Sequence, residues 1–220
     1  MALGTQEWRD EEGRSHRDGD MPAVVYLNGT QEWYQHGKIH RDGGFPARVS
    51  GDGCQEWWCF GLRHRNDDLP AVIVSEGIEG DPFMQEWWRD GEHHRDGDFP
   101  ATMYNDGSQL WYRHGKLHRD GGLPACVWSN GAQEWFQHGK LHRDGDLPAT
   151  ISANGSKYWY KHGVPHRDGD LPAVTHTDGT QKWYMHGVKQ SDADRATTRR
   201  WSPLRAAFVG AVAVCAPCSR

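Results

Sequence analysis

The chain has 220 residues, a formal net charge of −5 and only 36% hydrophobic residues, so it is polar for a globular protein. The tail after residue 190 holds two acids and five arginines, which leaves −8 on the rest, and this acidity argues against binding to nucleic acid. An odd number of cysteines, five, and an amino terminus without a signal-like apolar stretch indicate an intracellular protein in a reducing compartment.

The sequence repeats itself from its amino terminus to residue 189. A His-Arg-Asp triplet or a close variant recurs with successive spacings of 24, 24, 30, 24, 24 and 24 residues. Its histidines are His16, His40, His64, His94, His118, His142 and His166. A proline follows each histidine after six residues, and a tryptophan precedes it by seven in all copies but the first. This period predicts about seven and a half units over residues 1–189 and a separate tail at 190–220.

One unit, residues 28–50, predicts a β-hairpin. Asn28-Gly29 and His36-Gly37 are tight-turn dipeptides, because glycine adopts positive φ without steric cost. The segment 30–35 between them, TQEWYQ, is short and aromatic, as strands are. The longer return segment contains Gly43-Gly44 and Pro46, which predict a bend or bulge after Asp42.

The predicted fold class is therefore all-β. Tandem β-hairpin repeats with a 24-residue period form an elongated, antiparallel, single-layer ribbon or solenoid, because one hairpin buries too little surface to stand alone. A closed propeller is the competing architecture, but a four-stranded blade usually needs about 40 residues.

The single 30-residue spacing marks an insertion of six residues after Gly77, with the sequence IEGDPF. Since stacking does not require it, this loop is a candidate contact for a partner. The residues proposed for that contact are Ile78, Glu79, Asp81 and Phe83. The alternative is an insertion that the loop merely tolerates.

The tail, residues 190–220, leaves the period and is predicted to be partly disordered or a short helix. Its apolar run of 11 residues, 206–216, is shorter than the ~20 residues of a membrane span. Three arginines before that run suggest weak attachment to a membrane surface as an alternative. Cys215 and Cys218 have no partner set and predict neither a redox nor a zinc site.

The His-Arg-Asp triplet is predicted to be structural and not catalytic. A kinase catalytic loop needs a following asparagine and several companion motifs, and those are missing from the sequence. We expect the aspartate to close the Asp-Gly turn and the arginine to pair with acids of its own or the next hairpin. Histidine pairs such as His36 and His40 could share a metal across a turn, but Phe60 and Asp90 replace one member elsewhere. The sequence thus predicts no catalytic residue, no metal and no cofactor.

An aromatic column follows the tryptophans and supplies the second candidate surface. Strand alternation places each residue of this column opposite the preceding tryptophan. The column comprises Tyr34, Trp58, Trp88, Tyr112, Phe136, Tyr160 and Tyr184. Either both columns pack inside the array, or the variable one forms an exposed stripe beside Glu32, Glu56, Glu86 and Glu134 that suits a protein partner.

The segments NGTQEWYQHGKIHRDGG, NGAQEWFQHGKLHRDGD and DGTQKWYMHGVK resemble the MORN repeat, in the Trp-Tyr, Gly-Lys, His-Arg, Pro-Ala form common in large DNA viruses and some phages. The resemblance covers residues 5–189. It implies a single-layer antiparallel sheet, a scaffolding or partner-binding role and, in some members, lipid headgroup binding. It also implies a viral or virion-associated protein, located in host cytoplasm or virion.

Together these observations predict a non-catalytic repeat scaffold for protein–protein interaction, with a protein partner of unknown identity and self-association as a further option. The alternative is a peripheral membrane or lipid-binding module, which the charge of −8 on the array opposes because anionic lipid would repel it.

Overall fold

A computed structural model of the chain describes residues 4–74 and 84–193. Its centre is one 15-stranded antiparallel sheet in which strands that follow one another along the chain lie side by side. The strands are Gln6–Glu7, Val24–Val25, Gln31–Glu32, Arg48–Val49, Gln55–Glu56, Val72–Val74, Met84–Glu86, Thr102–Tyr104, Gln109–Leu110, Cys126–Val127, Gln133–Glu134, Thr150–Ile151, Lys157–Tyr158, Val174–Thr175 and Gln181–Lys182. We call this the long sheet.

Seven separate two-stranded hairpins project beyond the long sheet. Their paired strands are Tyr34–Gln35 with Lys38–Ile39, Trp58–Cys59 with Leu62–Arg63, Trp88–Arg89 with Glu92–His93, Tyr112–Arg113 with Lys116–Leu117, Phe136–Gln137 with Lys140–Leu141, Tyr160–Lys161 with Val164–Pro165, and Tyr184–Met185 with Val188–Lys189. We call these the outer hairpins. The predicted all-β repeat fold with a 24-residue period is confirmed.

The tryptophan of each unit divides its strand between these two assemblies. Trp33 donates its backbone N–H to the Ala47 carbonyl at 2.8 Å, and its own carbonyl accepts from His40 N–H at 3.0 Å. Residues before Trp33 therefore pair within the long sheet, and residues after it pair within an outer hairpin. The sequence did not predict this division of one strand.

The turn of each outer hairpin uses positive φ at both central residues. His36 and Gly37 have φ of 46° and 81°, the conformation of a type I′ turn. Phe60 and Asp90 occupy the histidine position in two other units with φ of 44° and 48°. The bend predicted after Asp42 is also present as a turn, with φ of 76° at Gly43 and 74° at Gly44.

The long sheet is open at both ends among the described residues. Its first strand pairs only with the second, and its last strand pairs only with the one before it. This pairing excludes the closed propeller for the described array. The last strand of the final outer hairpin ends at Lys189, while the proposed boundary at residue 190 stays a prediction.

The core lies along one line through the array, at the junction of the long sheet and the outer hairpins. Alanine after each loop proline is fully buried, and the tryptophans of the six inner repeats are 5–8% exposed. The alanines are Ala23, Ala47, Ala71, Ala101, Ala125, Ala149 and Ala173. Each unit contributes the same alanine, and the six inner repeats add a tryptophan, so the core is continuous along the array. In several units a buried strand residue widens it: Val24, Val72, Leu110, Cys126 and Val174.

The described residues include no helix with the length and hydropathy needed to cross a membrane. Most of the tail and the whole IEGDPF insertion lie outside the described residues, so the predictions made for both stay untested.

Candidate binding grooves between repeats

Units are numbered 1 to 7 by their loop histidines, from His16 to His166, and the His-Arg-Asp loop of each unit reaches the next unit. In the fifth unit the ring of His118 stacks on His138 of the sixth, with 4.6 Å between centroids. Its Nδ1 accepts the backbone N–H of His138 at 3.3 Å, and its Nε2–H donates to Asp120 at 3.0 Å. Both ring nitrogens are thus engaged, which fixes the tautomer.

The same arrangement recurs along the array. A backbone N–H of the next outer turn donates to the loop histidine in all seven units, and the accepting rings are His16, His40, His64, His94, His118, His142 and His166. Stacked histidine pairs such as His16 with His36 and His118 with His138 therefore join successive units. Among the described residues, no group of three or more potential ligands is placed to hold a metal ion.

The loop aspartate is held by its own histidine, and this corrects the expectation that it closes the Asp-Gly turn. The hydrogen bond from His118 is the main cause that lowers the pKa of Asp120 below its usual value. The side chain of Asp120 is nevertheless 74% exposed. Six of the seven loops therefore carry an anionic carboxylate on their outer surface, and Asn66 takes its place in the third.

The loop arginine clamps its unit to the preceding one. The guanidinium of Arg119 lies 3.8 Å from the centroid of the Trp111 ring and donates Nη1–H to the Pro124 carbonyl. Its Nε–H and Nη2–H donate to the two carboxylate oxygens of Asp98, at 2.6 and 2.8 Å. Asp98 belongs to the fourth unit, so the acid lies one unit back and not, as predicted, in the same or the next hairpin.

Four junctions hold this bidentate pair. They are Arg41 with Asp20, Arg95 with Asp68, Arg119 with Asp98 and Arg167 with Asp146. The arginine hydrogen bond is the main cause that lowers the pKa of Asp98. At two further junctions glycine takes the place of the aspartate, Gly44 before Arg65 and Gly122 before Arg143. The carbonyl of each glycine accepts the indole N–H of the tryptophan on which that arginine lies.

We expect Gly122→Asp to stabilise the array by about 1 kcal/mol. The new carboxylate meets the Arg143 fork as Asp98 meets Arg119, and an exposed ion pair is worth ~0.2–1 kcal/mol. Replacing glycine also lowers the entropy of the unfolded chain. Aspartate tolerates the required positive φ, since Asp146 has φ of 52° at the same position in the next unit, and the space beside Gly122 is open. Urea denaturation measures the gain.

Gly121→Asp is the matched control for that substitution. Gly121 has φ of 74° and open space beside it, but the clamp position that faces Arg143 belongs to the next residue. An equal gain from both variants would contradict the ion-pair explanation.

Grooves open between successive loops along this edge of the array. One of them, 580 Å³, lies between the fourth and fifth units. Trp111 and Tyr112 line its floor, and the two flanking loops contribute Phe99, Leu123 and Asp120. Similar grooves of 390, 350, 230 and 180 Å³ occur between units 1 and 2, 3 and 4, 5 and 6, and 6 and 7. The array thus repeats one concave, mixed-polarity site.

An apolar side chain stands at the rim of each groove, at the position before the loop proline. All seven of these side chains are 41–58% exposed. They are Met21, Phe45, Leu69, Phe99, Leu123, Leu147 and Leu171, and we call them the apolar ridge. Each unit adds two strands to the long sheet, so neighbours on the ridge are about 9.5 Å apart. Our sequence analysis missed this row, although a large apolar residue between turn glycines and proline in every loop was the available signal.

The predicted aromatic column is half-buried in the array. Each of its seven members has intermediate exposure: Tyr34, Trp58, Trp88, Tyr112, Phe136, Tyr160 and Tyr184. His93 stacks between two of them, 4.6 Å from Trp88 and 4.0 Å from Tyr112. Burial is the main cause that lowers the pKa of His93 and raises the pKa of Tyr34 to about 12.

The column therefore makes packing contacts along the array and presents only part of each ring to solvent. The insertion residues proposed with it, Ile78, Glu79, Asp81 and Phe83, lie outside the described residues. The aromatic column and the insertion residues both remain predicted partner surfaces. The structure adds a third candidate surface, the apolar ridge and grooves along the edge formed by the His-Arg-Asp loops, which we call the loop edge.

The sequence was compared with protein-family models and with curated proteins, and neither comparison finds a match. The resemblance to the MORN repeat, the viral origin and the intracellular location that follow from the sequence therefore remain predictions.

Proposed function

We propose that the chain is a non-catalytic repeat scaffold that binds a protein partner along its loop edge. The observation that carries this proposal is the apolar ridge: one large apolar side chain per unit, at equal steps, each 41–58% exposed. Single exposed apolar residues are ordinary on protein surfaces, but a continuous row with polar surroundings is typical of an interaction site.

The surroundings of the ridge have the composition of a protein interface. Apolar groups alternate with half-buried aromatic rings, arginines held rigid on tryptophan and exposed carboxylates. Protein interfaces combine an apolar centre with a polar rim, and arginine and aromatic residues are enriched in them. A rigid array also places equivalent grooves at fixed distances, so an extended partner gains affinity from several weak contacts at once.

A membrane surface is the second candidate, because the ridge could also enter a lipid interface. The carboxylates on the same loops oppose it: the side chains of Asp18 and Asp42 are 99% and 81% exposed. They would lie against the lipid headgroups when the ridge inserts, and an anionic membrane would repel them.

Site-specific photo-crosslinking in the native cell tests the proposed function. A benzophenone analogue of phenylalanine replaces Phe99 on the ridge or, as the control, Leu27, which is 73% exposed in a turn at the opposite end of the strands. We expect a discrete crosslinked protein from position 99 and none from position 27. Equal crosslinking at both positions, or crosslinking of the ridge to lipid alone, would contradict a protein-binding loop edge.

A further inference from the structure

Two loop arginines lack the carboxylate that the same residue holds elsewhere in the array. Glycine replaces the clamp aspartate at Gly44 and Gly122, which face Arg65 and Arg143. Among the described residues, neither arginine has a carboxylate within ion-pairing distance, and each has one side-chain hydrogen bond, to the carbonyl of Pro70 or Pro148. Arg17 also lacks an acid, but no loop of a preceding unit is described beside it.

The two guanidinium groups are nonetheless held in the binding geometry. Arg65 lies 3.6 Å from the centroid of the Trp57 ring, and Arg143 lies 3.8 Å from that of Trp135. Each donates Nη1–H to its proline carbonyl, at 3.0 and 3.4 Å. In the four paired copies these same two constraints leave Nε–H and Nη2–H to grip a carboxylate at 2.6–3.0 Å. The paired copies therefore show which group fits.

The surroundings of Arg143 favour an incoming anion. Arg143 lines the 230 Å³ groove between units 5 and 6, where the space beside Gly122 is open. The two nearby loop acids are engaged elsewhere, Asp120 with His118 and Arg113, and Asp144 with Gln137 and His142. Burial lowers the pKa of Arg143, and that of Arg65, without a carboxylate to offset it. A carboxylate that entered would stabilise the charged form of the guanidinium and so offset the effect of burial.

We propose that Arg65 and Arg143 each bind a carboxylate supplied by a protein partner, from an aspartate or glutamate side chain or a chain terminus. The proposal rests on the proposed function for the identity of the partner as a protein. Six strand steps of the long sheet separate the two arginines, a distance of about 29 Å. Because fixed spacing favours a bivalent ligand, two carboxylates that match this distance would give the partner its register on the otherwise uniform array.

A ¹⁵N NMR titration of the full chain with sodium acetate tests the two sites directly. Sodium chloride at equal ionic strength is the reference, and the arginine Nε–Hε signals are followed. We expect saturable shifts for Arg65 and Arg143. The signals of the paired arginines Arg41, Arg95, Arg119 and Arg167 should stay within the chloride reference, because their donors are occupied.

Three variants are expected to remove, keep or create an acetate response at individual arginines. Gly122→Asp fills one site from within, so the shift of Arg143 should be lost while that of Arg65 is kept. Gly121→Asp adds the same charge without facing a clamp and should keep both shifts. Asp98→Gly empties a clamp, so Arg119 should gain an acetate response. Circular dichroism confirms that each variant is folded before it is compared.

The proposal is overturned if all six arginines shift alike, or if Gly122→Asp leaves the response of Arg143 unchanged. Inorganic phosphate is the second probe, and half-saturation with phosphate at a lower concentration than with acetate would overturn the assignment to carboxylates. Acetate binding without any crosslinked protein would remove the proposed function and leave the sites intact. A crosslinked protein without acetate binding would remove only this inference.

Discussion

Trp111→Ala is expected to divide the array into two parts that unfold separately. Trp111 is 6% exposed, carries the Arg119 guanidinium on its ring and donates its indole N–H to the Asp98 carbonyl. Truncation of a buried tryptophan typically costs about 3–5 kcal/mol. Because the core is narrow and each unit of a repeat array contacts only its neighbours, that loss falls on the junction between units 4 and 5.

Hydrogen exchange with mass spectrometry measures the result for each unit. We expect protection to fall most in units 4 and 5 and least at the ends, and urea denaturation to change from one transition to two. Trp183→Ala is the control. Trp183 is only half-buried and lies between the last strand of the long sheet and the final outer hairpin. Its loss should therefore reduce protection only at that end of the array. A uniform loss of protection from Trp111→Ala would contradict nearest-neighbour stability.

The period and the turn residues were enough to predict the hairpin array. His36-Gly37 requires positive φ at two adjacent positions, and few backbone structures other than a tight hairpin turn do. The division of each strand at Trp33 could not be predicted in this way. Each half of the strand is only two residues long. Which strand each half pairs with depends on the path of the loop that brings the Ala47 carbonyl to the N–H of Trp33.

The candidate site was predicted less well, because it depends on contacts between units. The period shows that arginine and aspartate recur, but not how far each loop extends across its neighbour. That extent places Arg119 beside Asp98 of the preceding unit. Aromatic and hydrophobic character also does not tell from the sequence how far a side chain is exposed. Tyr112 of the aromatic column is half-buried and stacks on His93, whereas Phe99 of the ridge is 58% exposed.

On the proposal above, the positions that depart from the repeat determine where along the array a partner binds. A clamp such as Arg119 with Asp98 satisfies itself, so it can hold the array together but offers little to a ligand. Glycine at position 122 removes one acid and leaves the arginine in place. Arg143 thus differs from the paired arginines along the array, and a partner could distinguish this unit from units with a complete clamp.

Ala125→Leu is expected to destabilise the array by about 1–3 kcal/mol, because extra carbon atoms in a packed core force neighbouring side chains and backbone to shift. Ala125 is 0% exposed, and its backbone cannot move freely to make room. Its N–H donates to the Glu134 carbonyl at 2.8 Å, while its carbonyl accepts the N–H of Trp111 at 2.8 Å. Urea denaturation followed by far-UV circular dichroism measures the loss.

Ala153→Leu separates this packing effect from the change of residue type. Ala153 is exposed in a turn of the long sheet, and the first unit carries Leu27, 73% exposed, at the same place in its turn. Leucine there meets no packed neighbour, so we expect a change within about 0.5 kcal/mol, as for most surface substitutions. If both variants cost the same, the alanine of the loop is not selected by close packing. The narrow core would then be looser than its full burial implies, and the ridge and grooves above it would lose their rigid support.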